Sequence, residues 1–197
     1  MLAPLINISL FRQFIERDRL ILTPNHRLAA KIKDAWAIAN RDERRVWQAP
    51  RVFSIDHWLR FCWDELQDQN HRLVSGLGVV GAQQSRYYWE RAIKANHPEL
   101  SVKYAKLAGD TYSRLQQWNL NLTDVPSDSP AADYLKLWAQ SFDGLLSRNN
   151  LVTTAQSWSS ITSGYESGAL PIEDEIVLYG FQSIPPIQTN IIARASR

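Results

Sequence analysis

With 197 residues, 45% of them apolar, the chain can bury a sizeable core yet is short for two domains, so one domain with an inserted part is expected. Lys and Arg total 22 against 20 Asp and Glu, a formal charge of +2, which excludes a strongly basic nucleic-acid binder and leaves any DNA contact to a local patch. The single cysteine, Cys62, allows no internal disulfide and points to a reducing cytoplasm.

No apolar run approaches membrane-spanning length, so no membrane partner is expected. The opening stretch MLAPLINISLFRQFIERDR has no basic segment ahead of an apolar one and is expected not to be a signal peptide. The eight tryptophans mostly recur at helical spacing, which favours core packing over a platform for stacking bases.

In chain order, SLFRQFIERD predicts a short amphipathic helix with Ser9 as its N-cap, and RLILTP a buried strand ended by Pro24. NHRLAAKIKDAWAIANRD places Leu28, Ala29, Ile32, Ala35, Trp36 and Ala39 on one helical face. A charged loop, RDERRVWQAP, leads to the short strand RVFS. Ser54 then caps a helix with Asp56 in its first turn and an apolar stripe of Ile55, Trp58, Leu59, Cys62, Trp63 and Leu66. SGLGVVG is a glycine-rich break, and from Ala82 to about Asn149 every pattern is helical. TTAQSWSSITSGYESG predicts a further, weak helix. Strand character returns only at EIVLYGF, and the chain is expected to stop inside a last helix, PPIQTNIIARASR, as the front piece of something longer. The architecture expected is α/β: a first part of a parallel-sheet lobe over residues 1–80, a large all-helical insertion over 81–170, and a return to the lobe over 171–197.

Catalytic motifs are sparse. There is no G-x-x-x-x-G-K-[ST] phosphate loop and no G-x-S-x-G elbow. GLGVVG, Gly76 to Gly81, matches G-x-G-x-x-G by letters but opens into helices without a βαβ unit, which makes it a flexible linker. His26, His57, His71 and His97 are scattered with no metal-ligand spacing, so no zinc is expected. Asp56 and His57 read as helix-start residues rather than an acid–base pair, and EDE at 173–175 as a solvated loop. No enzyme activity and no cofactor are expected of this stretch.

Several segments resemble one family when taken in order. LILTPNHRLAAKIKDAW looks like the strand, turn and helix that contact single-stranded DNA in superfamily 1 helicases. It is closer still to the TPNRRLA form of bacterial AddB-like proteins of the PD-(D/E)XK nuclease superfamily, probable DNA repair proteins. RVFSIDHWLRFCWDEL and VVGAQQSRYYWERAI are similar to the segments that follow in that family. VLYGFQSIPPIQTNII aligns with the helicase Walker B stretch: Phe181, Gln182 and Gln188 match, while the two acids fall on Tyr179 and Gly180.

The resemblance implies a RecA-like, P-loop NTPase-like lobe with a helical insertion that has lost ATP hydrolysis. It also implies a role in DNA recombination and repair alongside further domains and a helicase partner subunit. Under it, Thr23, Asn25, His26, Arg27 and Lys31 contact single-stranded or unwinding DNA, and Gln182 and Gln188 touch DNA or a partner lobe, or cap the last helix. The residues before LTPN contain no glycine, so a phosphate loop has no place to sit. An alternative from another class is a protein-interaction piece docking through exposed aromatics.

Overall fold

The computed structural model describes residues 6–41, 48–100, 103–126 and 129–197; part of the charged loop predicted at 41–50 lies outside them. Three parallel strands, β1 (Leu20–Thr23), β2 (Val52–Ser54) and β5 (Ile176–Leu178), form a sheet in the order β2-β1-β5. Ile21 pairs with Val52 on one side of β1 and with Val177 on the other. Every residue of β1 is buried, as a central parallel strand covered on both faces requires.

Alternation along β1 assigns its side chains to two layers. Ile21 joins Phe11 and Ile15 of α1 (Ser9–Glu16) and Ala29, Ile32 and Trp36 of α2 (His26–Ala39). Leu20 and Leu22 meet the opposite layer of α3 (Ile55–Asp68), α7 (Thr154–Glu166) and α8 (Pro186–Ala195). All six residues of the predicted α3 stripe are buried there. On α2 the predicted face holds except at its ends, where Leu28 is half-buried and Ala39 exposed.

A second core belongs to α4 (Ala82–Asn96), α5 (Tyr104–Gln117) and α6 (Pro130–Arg148). Trp89 stacks on Phe142 at 4.3 Å and meets Tyr112 edge-on at 5.6 Å, while Ala92, Ala105, Ala108 and Ala139 let the helices approach. As expected, the tryptophans are mostly core: Trp36, Trp58, Trp63, Trp89, Trp138 and Trp158 are buried, and Trp118 is exposed.

Four expectations are corrected. The glycine-rich break is not a linker: Gly78 and Val79 form β3, paired in parallel with β4 (Leu151–Val152). A Cβ on Gly78 would stand 3.1 Å from Leu151, so here the glycine serves close approach. The helix α7, grouped by sequence with the insertion, packs Trp158, Ile161 and Tyr165 into the sheet's core, so the helical unit closes at β4 instead of near residue 170. Ser9 does not cap α1; Asn7 Oδ1 accepts hydrogen bonds from the Ser9 amide (3.1 Å) and hydroxyl (2.6 Å). Finally, α8 closes at Ala195: Ser196 turns extended and bridges Glu173, whose amide donates to the Ala195 carbonyl at 2.7 Å.

That pairing also changes the reading of EDE. Arg51 forms a two-pronged ion pair with Glu173, at 2.6 and 2.9 Å, and Arg19 reaches Asp174 at 2.6 Å. With Glu175 3.8 Å from Arg19 Nε, the three acids clamp the residues that lead into the strands.

Candidate nucleic-acid interface

β1 ends in Thr23, the turn Pro24–Asn25 follows, and α2 starts at once, so this corner lies at the carboxyl edge of the sheet, where open α/β sheets hold ligands. Asn25 is the N-cap: extended in backbone, it accepts a hydrogen bond on Oδ1 from the Leu28 amide at 3.0 Å. His26, Arg27 and Lys31 are exposed. Arg27 and Lys31 lie four residues apart, hence on one face. Neither enters an ion pair among the described residues.

Thr23 does not share that surface. It is 0% exposed, and its hydroxyl lies 3.0 Å from the Asn25 carbonyl and 3.2 Å from the Phe53 carbonyl, to which it donates. The side chain ties β1 to β2 and fixes the turn, so it is closed to a ligand.

The segment Tyr179–Gly180 lies next to this corner. The Tyr179 amide donates to the Leu22 carbonyl at 3.0 Å, extending the ladder, and its ring packs edge-on to Phe11 at 4.8 Å. Gly180 has φ +80°, and a Cβ there would fall 2.5 Å from Leu28 Cδ2 and 3.6 Å from Pro24 Cδ. An acid at this position would be strained in backbone and would collide with the first turn of α2. The glycine is therefore demanded by the same corner that presents Arg27.

The two glutamines part company. Gln182 is exposed, whereas Gln188 is 6% exposed in the first turn of α8 beside Ile187, which removes it from reach of a macromolecule. Neither caps α8, whose N-cap is Pro185, with no side-chain bond.

Three neighbours were not picked out as a cluster from sequence. Lys33 Nζ stands 4.7 Å from the centre of the Phe53 ring, and His57 lies 5.5 Å from the same ring, forming a basic and aromatic strip on β2. The only sequence signal was Lys33 on α2 and His57 on α3, too far apart in the chain to read together. Asp56, exposed at the start of α3, has its carboxyl pushed up by partial desolvation, with Arg60 pulling it down, and makes no ion pair with His57 among the described residues.

No group of three or more His, Cys, Asp or Glu side chains able to hold a metal ion occurs among the described residues. Cys62 is buried with its Sγ 3.3 Å from the Tyr165 hydroxyl, and burial pushes its thiol up to about 11, which makes it inert. No described helix is long and apolar enough to cross a membrane. Compared with known proteins, the chain matches no protein-family model and no curated protein.

Proposed function

We propose that this chain is a non-catalytic, helicase-like DNA-binding scaffold, a RecA-like lobe of a cytoplasmic recombinational repair helicase–nuclease, acting with further domains and a helicase partner subunit. The observation that carries the reading is the pair of exposed cations Arg27 and Lys31, without an ion pair among the described residues, on the first two turns of α2 beside the capped helix start at Asn25. A phosphate meets favourable amides and dipole at such a place, and the two side chains add charge-assisted bonds. The Lys33, Phe53 and His57 strip offers a stacking surface nearby. In the absence of a phosphate loop, and with Gly180 fixed by the corner's packing, DNA is held rather than moved.

Fluorescence anisotropy with labelled single-stranded DNA over a salt series tests this. Affinity is expected to weaken as salt rises, and the Arg27→Ala/Lys31→Ala double variant is expected to reduce the slope of log affinity against log salt by about 1.4, near 0.7 per phosphate lost. Affinity unmeasurable at low salt, or indifferent to salt, would sink the reading.

One observation favours a second reading, a module docking on other domains or a partner. An apolar groove of about 680 Å³ runs between α5 and α6, lined by Tyr104, Leu107, Tyr134 and Trp138, and Leu107 is 64% exposed. Light scattering separates the two: concentration-dependent association without DNA affinity supports the module, and a salt-sensitive DNA-binding monomer supports the scaffold.

A further inference from the structure

A cleft of about 500 Å³ opens between α4, α5 and the start of α7, away from the β1–α2 corner. Its floor is Trp89, 1% exposed and held rigid by the stack on Phe142 and the edge contact with Tyr112. A buried indole N–H ordinarily finds an acceptor. That of Trp89 has none among the described residues, and unlike the indole nitrogen of Trp36 it is not sealed off from solvent. What lies over it is Gly109: a Cβ there would stand 3.1 Å from Trp89 Nε1 and 3.2 Å from Cδ1. The missing side chain leaves the donor edge of the ring facing the cleft, which Gly109 also lines.

The remaining walls share the same polarity. Ala82 and Gln83 belong to the first turn of α4, whose N-cap Gly81 supplies no side-chain bond, so this helix start keeps its unsatisfied amides and positive dipole end. Arg86 and Lys106 flank the mouth, paired among the described residues with the half-buried Glu90 at 3.1 Å and with Asp110, itself on the rim, at 2.5 Å. Such pairs are weak, so both cations are free to turn toward a stronger anion. The volume suits a small molecule.

We infer that this cleft binds a small molecule through an oxyanion, a phosphate or a carboxylate, with Trp89 Nε1–H donating to it and Arg86 and Lys106 closing over it. The site is independent of the DNA-binding reading.

The test uses the full chain labelled with ¹⁵N. The Trp89 indole resonance is assigned by its loss in Trp89→Phe and followed while inorganic phosphate or acetate is titrated to millimolar concentrations against chloride at matched ionic strength. The expected result is a saturable shift with phosphate or acetate that chloride does not produce, and the arm that saturates first identifies the head group. Arg86→Ala/Lys106→Ala, both surface changes, is expected to weaken binding about tenfold. Gly109→Ala, whose methyl would stand 3.1 Å from Trp89 Nε1, is expected to fill the space before the donor and abolish the shift, with the remaining amide resonances checking that the fold is kept. A Trp89 resonance that moves no further than in chloride, or that moves equally in Gly109→Ala, overturns the proposal.

Discussion

The sheet unit and the helical unit hold themselves together in different ways. In the first, β1 sends Leu20 and Leu22 to one layer and Ile21 to the other, and the elements are locked at both strand ends, by the Gly180 corner and by the Arg51–Glu173 clamp. In the second, rings do the work: Trp89, Tyr112 and Phe142 interlock, and Trp138 Nε1 donates to His97 Nδ1 at 2.9 Å to tie α6 to the end of α4. The units meet where β3 pairs with β4, where α5 lies against α7 and α8, and through the bond from the Thr153 hydroxyl to Gln116 Oε1 at 3.0 Å. A unit fixed by alternating aliphatics and end clamps tolerates an exposed polar corner. One fixed by rings depends on a few large side chains.

The sharpest way to break that contrast is Phe142→Ala, expected to cost about 4 kcal/mol and to remove hydrogen-exchange protection from α4–α6 while β1 and β5 stay protected. Loss of protection in both units at once would show a single cooperative core. Next in size, Gly180→Asp is expected to lower stability by about 3 kcal/mol through its left-handed backbone and the collision with Leu28, read in a urea melt, without creating ATP turnover. Arg51→Ala, which leaves the half-buried Glu173 without its two-pronged partner, is expected to cost about 1.5 kcal/mol, discounted for the partial exposure of the pair.

The smallest effect has the opposite sign, because the two units treat their carboxylates differently. Asp174, on the sheet unit, is held below the ordinary range chiefly by the hydrogen bond from Arg19, so it supports folding above the unfolded carboxyl range and loses that support as pH falls through its folded value. Asp143, in the helical unit, is pushed up chiefly by burial, against the 2.5 Å bond donated by the Tyr112 hydroxyl, and its Oδ1 is sealed from solvent with no hydrogen-bond partner among the described residues. Its folded form holds a proton more tightly than the unfolded chain does, so its contribution worsens as pH rises through the carboxyl range. Asp143→Asn is therefore expected to stabilise by about 1 kcal/mol at neutral pH, a gain that shrinks as pH falls toward about 4. Urea melts at the two pH values decide it.

Much of the sheet unit was legible because its signals are long or unmixed. LILT is apolar up to a threonine at the strand end, and six residues of α3 repeat at helical spacing. The helical unit was legible as helices but not in its borders. A ladder of two residues, Gly78–Val79 with Leu151–Val152, gives no period to detect, and its glycine letters imitate a linker. The weak pattern of α7 does not say which core it serves, because small residues such as Gly164 let it approach Leu66 without an apolar letter. At the corner, Arg27 and Lys31 are exposed, as a contact with DNA would require. Thr23 is buried, which its letter does not reveal, because a threonine ending a strand looks the same whether its hydroxyl faces solvent or a neighbouring carbonyl. The reason for Gly180 is a dihedral angle, which only the folded chain reveals.

The parallel pairing of Gly78 with Leu151 puts the chain's departure into the helical unit beside its return. To the sheet the whole excursion resembles a closed loop whose ends are already gathered, so its length adds little entropic burden to folding the remainder. A short Gly-Ser bridge across that pair is then the natural cut for a minimal, three-layered miniature of the protein, and the same junction is a socket into which a different bundle can be grafted.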